Sequence, residues 1–141
     1  MRVMGLDLGE KNIGVALSDP MGWTAQGCKV IKSRGRVEED LLAVSDLVKE
    51  MNVTTLVVGY PRNMNGTVGP MGEKAIKYTE RLKKMLNIPV VLWDERLTTR
   101  AAERMLIEGD VSRKKRRKVI DKVAAAIILQ NYLDSQAVKN K

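Results

Sequence analysis

Acidic residues lie at the ends of several elements that this sequence predicts. Asp7 interrupts the apolar run Val3 to Leu8. Asp94 and Glu95 end a later apolar run, and Asp121 lies in the first turn of the last predicted helix. A carboxylate in a buried strand is costly unless it is paired, hydrogen-bonded or bound to a cation. Because strands that end on one side of an α/β sheet bring their last residues together, these carboxylates can converge.

Each acidic position also has a purely structural explanation. Asp121 in a first helical turn would stabilise the helix dipole by about 0.3 to 1 kcal/mol without any chemical role. Asp94 and Glu95 could cap the next helix or pair with neighbouring arginines, and Asp7 could accept a hydrogen bond from a hairpin turn. Taken together, acidic positions at the strand and helix ends of one sheet favour a shared site more strongly than any of them does alone.

The composition restricts the chemistry that such a site could perform. The chain has no histidine and a single cysteine, Cys28. This excludes a disulfide framework, cysteine-based or histidine-based metal sites, and nucleophilic mechanisms that need a Ser/His or Cys/His pair. Catalysis must therefore depend on carboxylates, lysines or hydroxyls.

Hydrophobic periodicity predicts the elements that would position these residues. Two apolar runs around a short turn predict a β-hairpin, and later runs alternate between strand and helix periodicity. The predicted elements are strands at 3–8, 13–17 and 24–32, a helix at 37–51, a strand at 54–59, a helix at 73–86, a strand at 88–93, and helices at about 98–107 and 119–133. The order β, β, β, α, β, α, β, α, α predicts a mixed five-stranded sheet with helices on both faces. A loop rich in turn residues, 61–72, separates the fourth strand from the second helix.

Length and charge indicate one domain with a polyanionic partner. A chain of 141 residues is the size of one ordinary domain, which we expect to span 1–141. The net charge is +8, and residues 111–141 contribute nine basic and two acidic side chains to it. Such a local excess favours nucleic acid or anionic lipid as a partner. No targeting signal or membrane-spanning run is evident, so we expect a cytoplasmic protein.

Four segments, in order along nearly the whole chain, resemble the YqgF/RuvX family of RNase H-like nucleases. They are Gly5–Asp19, Val57–Pro61 with Asn65–Thr67, Asp94–Thr99, and Asp121–Gln130. Members of this family are small bacterial proteins described as Holliday junction resolvases and as nucleases acting on the 5′ end of pre-16S rRNA. Two departures, Tyr60 in place of leucine and Gly27 in place of proline, touch no acidic position.

The resemblance implies an RNase H-like fold and an acidic set on Asp7, the Asp94–Glu95 pair and Asp121. Successive strand residues point to opposite faces, so only one residue of the pair can readily share a site with Asp7. The resemblance favours Glu95, although the sequence itself leaves Asp94 open.

The chemistry implied is phosphodiester hydrolysis assisted by Mg²⁺ or Mn²⁺, with two ions held by Asp7, Glu95 and Asp121. The expected function is processing of the 5′ end of pre-16S rRNA, with resolution of branched DNA as the alternative substrate. A phosphoryl-transfer ATPase is a less suitable alternative, because such proteins enclose nucleotide with a duplicated domain. A non-catalytic RNA-binding protein is the alternative of another class.

Cationic and polar residues near these positions are candidates for nucleic-acid contacts. They are Lys11, Arg62, Asn65, Thr67, Arg96, Thr98, Thr99 and the basic run Arg113, Lys114, Lys115, Arg116, Arg117 and Lys118. Few aromatic residues are present, which favours recognition of the backbone and shape of structured RNA or branched DNA over base stacking. A pre-ribosomal particle is a further expected partner, and the protein itself is expected to be a monomer or a homodimer.

Overall fold

Five strands and three helices make up the part of the chain that the computed structural model describes, residues 2–9, 11–60, 69–94 and 113–139. In chain order they are β1 (Val3–Leu8), β2 (Asn12–Ser18), β3 (Ala25–Lys32), α1 (Val37–Glu50), β4 (Thr55–Tyr60), α2 (Pro70–Met85), β5 (Val90–Asp94) and α3 (Arg113–Lys139). The predicted helix at 98–107 lies outside the described residues.

The strands form one mixed sheet in the order β3-β2-β1-β4-β5. β1 pairs antiparallel with β2 and parallel with β4, β2 pairs antiparallel with β3, and β4 pairs parallel with β5. β1 is thus the central strand, flanked on both sides by hydrogen-bonded neighbours. The predicted mixed five-stranded architecture is confirmed.

The two faces of the sheet bury different side chains of β1, because successive strand residues alternate in direction. Met4, Leu6 and Leu8 belong to the core shared with α1 and α2. Val3 belongs to a second core formed with α3. Both faces are therefore covered by helices, which explains why β1 and β4 contain almost uninterrupted apolar runs.

Two helix boundaries differ from the sequence-based expectation. α2 begins at Pro70 rather than at Glu73, because proline at the first helical position is already set to a helical φ and lacks an N–H that the helix would leave unbonded. The predicted loop at 61–72 is accordingly shorter at its C-terminal end.

The last helix begins at Arg113 rather than at 119. The basic run 113–118 therefore forms the first turns of α3 instead of preceding it, and residue 121 lies more than two turns inside the helix. The physical reason is that lysine and arginine are good helix formers, and no glycine or proline interrupts this stretch. The dipole explanation for Asp121 is thus wrong, since α3 has no acidic residue in its first turn.

None of the helices in the described ranges has an apolar stretch long enough to cross a membrane.

Candidate active site

Asp7 occupies the end of the central strand. It pairs with Gly14 of β2 and is half-buried between otherwise buried neighbours, Leu6 and Leu8. By strand alternation it shares a face with Val3 and Gly5, and this is the face that packs against α3. The carboxylate therefore lies on the α3 side of the sheet.

Gly5 allows α3 to pack unusually close to that face. A Cβ atom added at Gly5 would lie 2.9 Å from Leu129 Cβ and 3.2 Å from the carbonyl oxygen of Ala125. Ala124 and Ala125 are both fully buried, so small side chains also line the helix. The sheet and α3 thus meet almost backbone to backbone at this level.

α3 runs in the direction opposite to β1. Strand β3 runs parallel to β1, because β2 lies between them and pairs antiparallel with both. The N–H of Ala25 in β3 donates a hydrogen bond to Gln130 Oε1 of α3 at 2.9 Å. Two residues further along β3, a Cβ on Gly27 would lie 3.0 Å from Lys122 Cβ. From Ala25 to Gly27 the contact on α3 shifts from residue 130 to residue 122, so α3 runs antiparallel to β3 and therefore to β1.

Followed toward its start, α3 therefore leads toward the end of β1 that contains Asp7. Residue 121 lies four positions, about one helical turn, before Ala125, and Ala125 packs on Gly5. One turn of helix rises about as far as two strand residues, the separation of Gly5 from Asp7. Residue 121 thus belongs to the helix that packs on the face of Asp7, and the Asp121 side chain lies outside what the structure describes.

Asp94 lies on the other face of the sheet. The register aligns Leu6 with Val58 and Val58 with Leu92, so these three residues share the face covered by α1 and α2. Asp94 is two residues beyond Leu92, shares its face, and is exposed. In a regular continuation of β5 the next residue would point to the face of Asp7, and that residue is Glu95, outside the described residues.

Some of the residues predicted to contact nucleic acid lie in segments that the structure describes, and others do not. Lys11 is exposed in the turn after β1, and its carbonyl oxygen accepts the N–H of Ser33 at 2.8 Å. The basic residues 113–118 lie within α3, where their backbone positions alone are described. The other candidates lie outside the described residues: Arg62, Asn65, Thr67, Arg96, Thr98 and Thr99.

The turn after Asp7 is held by contacts that sequence reasoning missed. Lys74 of α2 donates a hydrogen bond from Nζ to the carbonyl oxygen of Gly9 at 3.0 Å. The N–H of Gly9 reaches the carbonyl oxygen of Asn12 at 2.8 Å, and a Cβ at Gly9 would approach that oxygen to 2.6 Å. The one signal for Lys74 is its position near the start of a helix, where the dipole disfavours a cation.

Comparison with known proteins identifies the family. A family described as "RuvX: Holliday junction resolvase" matches residues 1–135. The chain belongs to the RuvX family. The resemblance predicted from the sequence motifs is thus confirmed.

Two relatives of this RuvX-family protein cover almost its whole length. A protein of Desulforamulus reducens is 58% identical over 137 residues, which are 97% of this chain and 99% of the relative. A protein of Bacillus subtilis is 58% identical over 136 residues, 96% of this chain and 99% of the relative. Both carry the name "Putative pre-16S rRNA nuclease".

Solved structures confirm the RNase H-like fold. Thermus thermophilus RuvC in complex with Holliday junction substrate aligns with a TM-score of 0.59 at 15% identity, covering 97% of this chain and 96% of that chain. The yeast mitochondrial Holliday junction resolvase Ydc2 aligns with a TM-score of 0.54 at 14% identity, covering 96% and 78%. At these identities the likeness concerns the fold.

Proposed function

We propose that this RuvX-family protein is a metal-dependent endonuclease that hydrolyses phosphodiester bonds of structured nucleic acid, and that it processes the 5′ end of pre-16S rRNA. The observation that carries the proposal is the position of Asp7 near the end of the central strand, on the face against which α3, the helix that contains Asp121, packs at Gly5. The name shared by the two relatives at 58% identity supports the rRNA substrate.

The acidic residues suit a hard divalent cation. Among the side chains that the structure describes, no three His, Cys, Asp or Glu groups are grouped to hold a metal ion, so the site requires the carboxylates of Glu95 and Asp121. Carboxylate oxygens are the ligands that Mg²⁺ and Mn²⁺ prefer. Asp7, Glu95 and Asp121 would hold the ions, and the bound ions would supply Lewis-acid activation of water for hydrolysis.

Such ions, when bound, lower the pKa of a coordinated water and neutralise charge on the leaving oxygen. The role of the chain would be to hold three carboxylates: that of Asp7 on the central strand, that of Asp121 on the closely packed helix α3, and that of Glu95, the residue that follows β5 in the sequence. Ligands must be deprotonated, so metal affinity should rise with pH. Removal of the metal by EDTA should abolish cleavage and leave nucleic-acid binding measurable.

A second candidate substrate is branched DNA. The family description names Holliday junction resolvase activity, and the same carboxylates would serve that reaction. Symmetric cleavage of a four-way junction would require a two-fold dimer, whereas cleavage of one rRNA strand would not. The proposed partners are thus structured RNA, a pre-ribosomal particle or branched DNA.

The test compares wild type with Asp7→Asn on a pre-16S rRNA 5′ fragment and a four-way DNA junction, with Mg²⁺ or Mn²⁺. We expect the wild type to cut the rRNA fragment. Asp7→Asn should lose more than about 100-fold in cleavage rate, because even a group that only orients a metal ligand is worth about 10- to 100-fold. Its affinity for the fragment should be retained.

Asp46→Asn on the exposed face of α1 makes the same chemical change away from the site and should cleave normally. Preferential cleavage of the junction would favour the second substrate. If the wild type binds both nucleic acids and cuts neither, the nuclease proposal is rejected and a non-catalytic RNA-binding protein becomes the better description.

A further inference from the structure

A groove of about 400 Å³ lies between the start of α1 and one side of α2. We call it the α2 groove. One wall contains Gly35 and Val37, and the other presents three cations from successive turns of α2: Lys74, Lys77 and Arg81. Residues three and four apart share a helix face, so these side chains form one row.

The two walls of the α2 groove are joined by a buried carboxylate. Asp40 of α1 is only 3% exposed, and its Oδ2 accepts hydrogen bonds from Ser33 Oγ at 2.6 Å and from Tyr78 Oη at 2.8 Å. Ser33 belongs to the connection before α1, and Tyr78 belongs to α2 and lines the groove. Because a buried carboxylate needs both donors, this contact fixes the separation of the walls.

The α2 groove begins at the turn that follows Asp7. Lys74, at its near end, bonds the carbonyl oxygen of Gly9, two residues beyond Asp7. The seven residues from Lys74 to Arg81 span about 10 Å at about 1.5 Å per residue. This is the axial length of about three nucleotides of one strand, at about 3.4 Å each.

Two of the three cations of the groove can turn to an anion without the loss of a strong contact. Lys77 is exposed and has no ion pair or hydrogen bond to any residue that the structure describes. Arg81 pairs with Glu38, but both side chains are exposed, and such pairs contribute little. Glu73 also lines the groove, so the cations exceed the acids on its α2 wall by three to one.

We propose that the α2 groove binds the phosphodiester backbone of the nucleic-acid substrate where it leaves the active site. The inference rests on the proposed function and extends it. α2 covers the face of the sheet opposite to α3, and the basic run lies on α3. The substrate would therefore be bound on both faces of the sheet, next to the end of β1 that contains Asp7.

The test measures the salt dependence of binding in EDTA, where cleavage is prevented. The probes are a stem-loop RNA containing the pre-16S 5′ sequence and a four-way DNA junction. Lys77→Ala and Arg81→Ala are compared with Lys83→Ala, an exposed lysine of the same helix about 120° or more around the axis from Lys77 and Arg81. The wild type and all variants are checked for equal thermal stability.

A lost phosphate contact should reduce the slope of log K against log[salt] by about 0.9 on duplex. At 0.1 M salt this corresponds to roughly eight-fold weaker binding for each groove variant. Lys83→Ala should leave the slope unchanged. The double variant Lys77→Ala/Arg81→Ala should show about twice the reduction in slope of either single groove variant.

An unchanged slope in the groove variants would overturn the inference. Equal losses in all three single variants would also overturn it, because they would indicate a general electrostatic field rather than a contact. These outcomes are separate from the proposed function: a protein that binds through the groove but never cleaves with Mg²⁺ or Mn²⁺ refutes the nuclease proposal alone.

Discussion

Gly5 of the central strand faces Leu129 of α3 so closely that a Cβ on residue 5 would lie 2.9 Å from Leu129 Cβ. Native side chains rarely approach so closely, so one atom at Gly5 must push α3 away from the sheet. This contact sets the distance of α3 from the sheet, and the stability of the fold and the proposed role of Asp121 thus depend on the same glycine.

Gly5→Ala should therefore destabilise the protein by about 1 to 3 kcal/mol, the usual cost of overpacking a core. The cleavage rate of the folded variant should also fall, by more than the loss of folded protein explains, because the shift of α3 separates the proposed ligands. Urea unfolding gives the first quantity, and cleavage of the rRNA fragment below the melting temperature gives the second. An unchanged free energy of unfolding would show that the helix and strand can separate without cost.

Replacement of Asp94 and Glu95 one at a time tests which of them belongs to the site. The strand pleat puts Asp94 on the face opposite to Asp7, so Asp94→Asn should keep cleavage within a few-fold of wild type. Glu95→Gln should lose more than about 100-fold, as expected for a direct metal ligand. The measurement is the single-turnover rate at saturating Mg²⁺, and the reverse ranking would assign the role to Asp94.

Tyr78 should make stability sensitive to alkaline pH. Burial, and then its hydrogen bond and charge interaction with Asp40, raise the pKa of Tyr78 well above its ordinary value. The Tyr78 phenol ionises near pH 10 in the unfolded chain and only at higher pH in the folded chain. The contribution of Tyr78 to the free energy of unfolding is therefore complete below about pH 10 and is lost as the pH rises further.

Tyr78→Phe should remove that pH dependence and cost about 1 to 3 kcal/mol at neutral pH, because the buried Asp40 loses a donor. Unfolding free energies between pH 8 and about 11.5 check both expectations. Tyr132→Phe is the control, since its hydroxyl has no hydrogen bond within the described part of the chain. Equal alkaline loss in wild type and Tyr78→Phe would contradict the explanation.

Asp19 should make stability sensitive to acid. Its carboxylate accepts backbone N–H groups of Met21 at 3.2 Å, Trp23 at 2.7 Å and Thr24 at 2.8 Å. The bond from Thr24 is the main cause that lowers the pKa of Asp19, and those from Trp23 and Met21 add to it. Because the folded pKa is depressed, this contribution is present above about pH 4 and is lost as the pH falls through the folded value.

Asp19→Asn should lower the melting temperature at pH 7, and the difference from wild type should shrink below about pH 3 as the carboxylate is protonated. Melting curves from pH 2 to pH 7 measure this effect. Asp46→Asn is the control, because it makes the same chemical change at an exposed helical position of α1 rather than in a turn. A deficit that stays constant down to pH 2 would mean that the charge of Asp19 does not matter.

The sequence was sufficient for the order of the elements that the structure describes. The apolar runs around the first turn and the helical spacing of Leu41, Leu47 and Val48 depend on local periodicity, which burial on one face imposes directly. The motifs also identified the family, because they lie in order along nearly the whole chain. The exact starts of α2 and α3 were predicted less well, since Pro70 and a run of lysines and arginines are compatible with both a loop and a helix start.

The sequence by itself determined that carboxylates must perform any metal chemistry here, since the chain has no histidine and only one cysteine. Only the tertiary structure decided on which face of the sheet Asp7 and Asp94 lie. The pairing of β1, β4 and β5 assigns Asp94 to the face away from Asp7, and the packing of α3 on Gly5 puts the helix that contains Asp121 on the same face as Asp7. It also decided that Lys74, from a distant helix, supports the turn after Asp7. Such relationships depend on strand register and on the distance between helix and sheet. Both are set by contacts between residues far apart in the chain, which local sequence patterns do not encode.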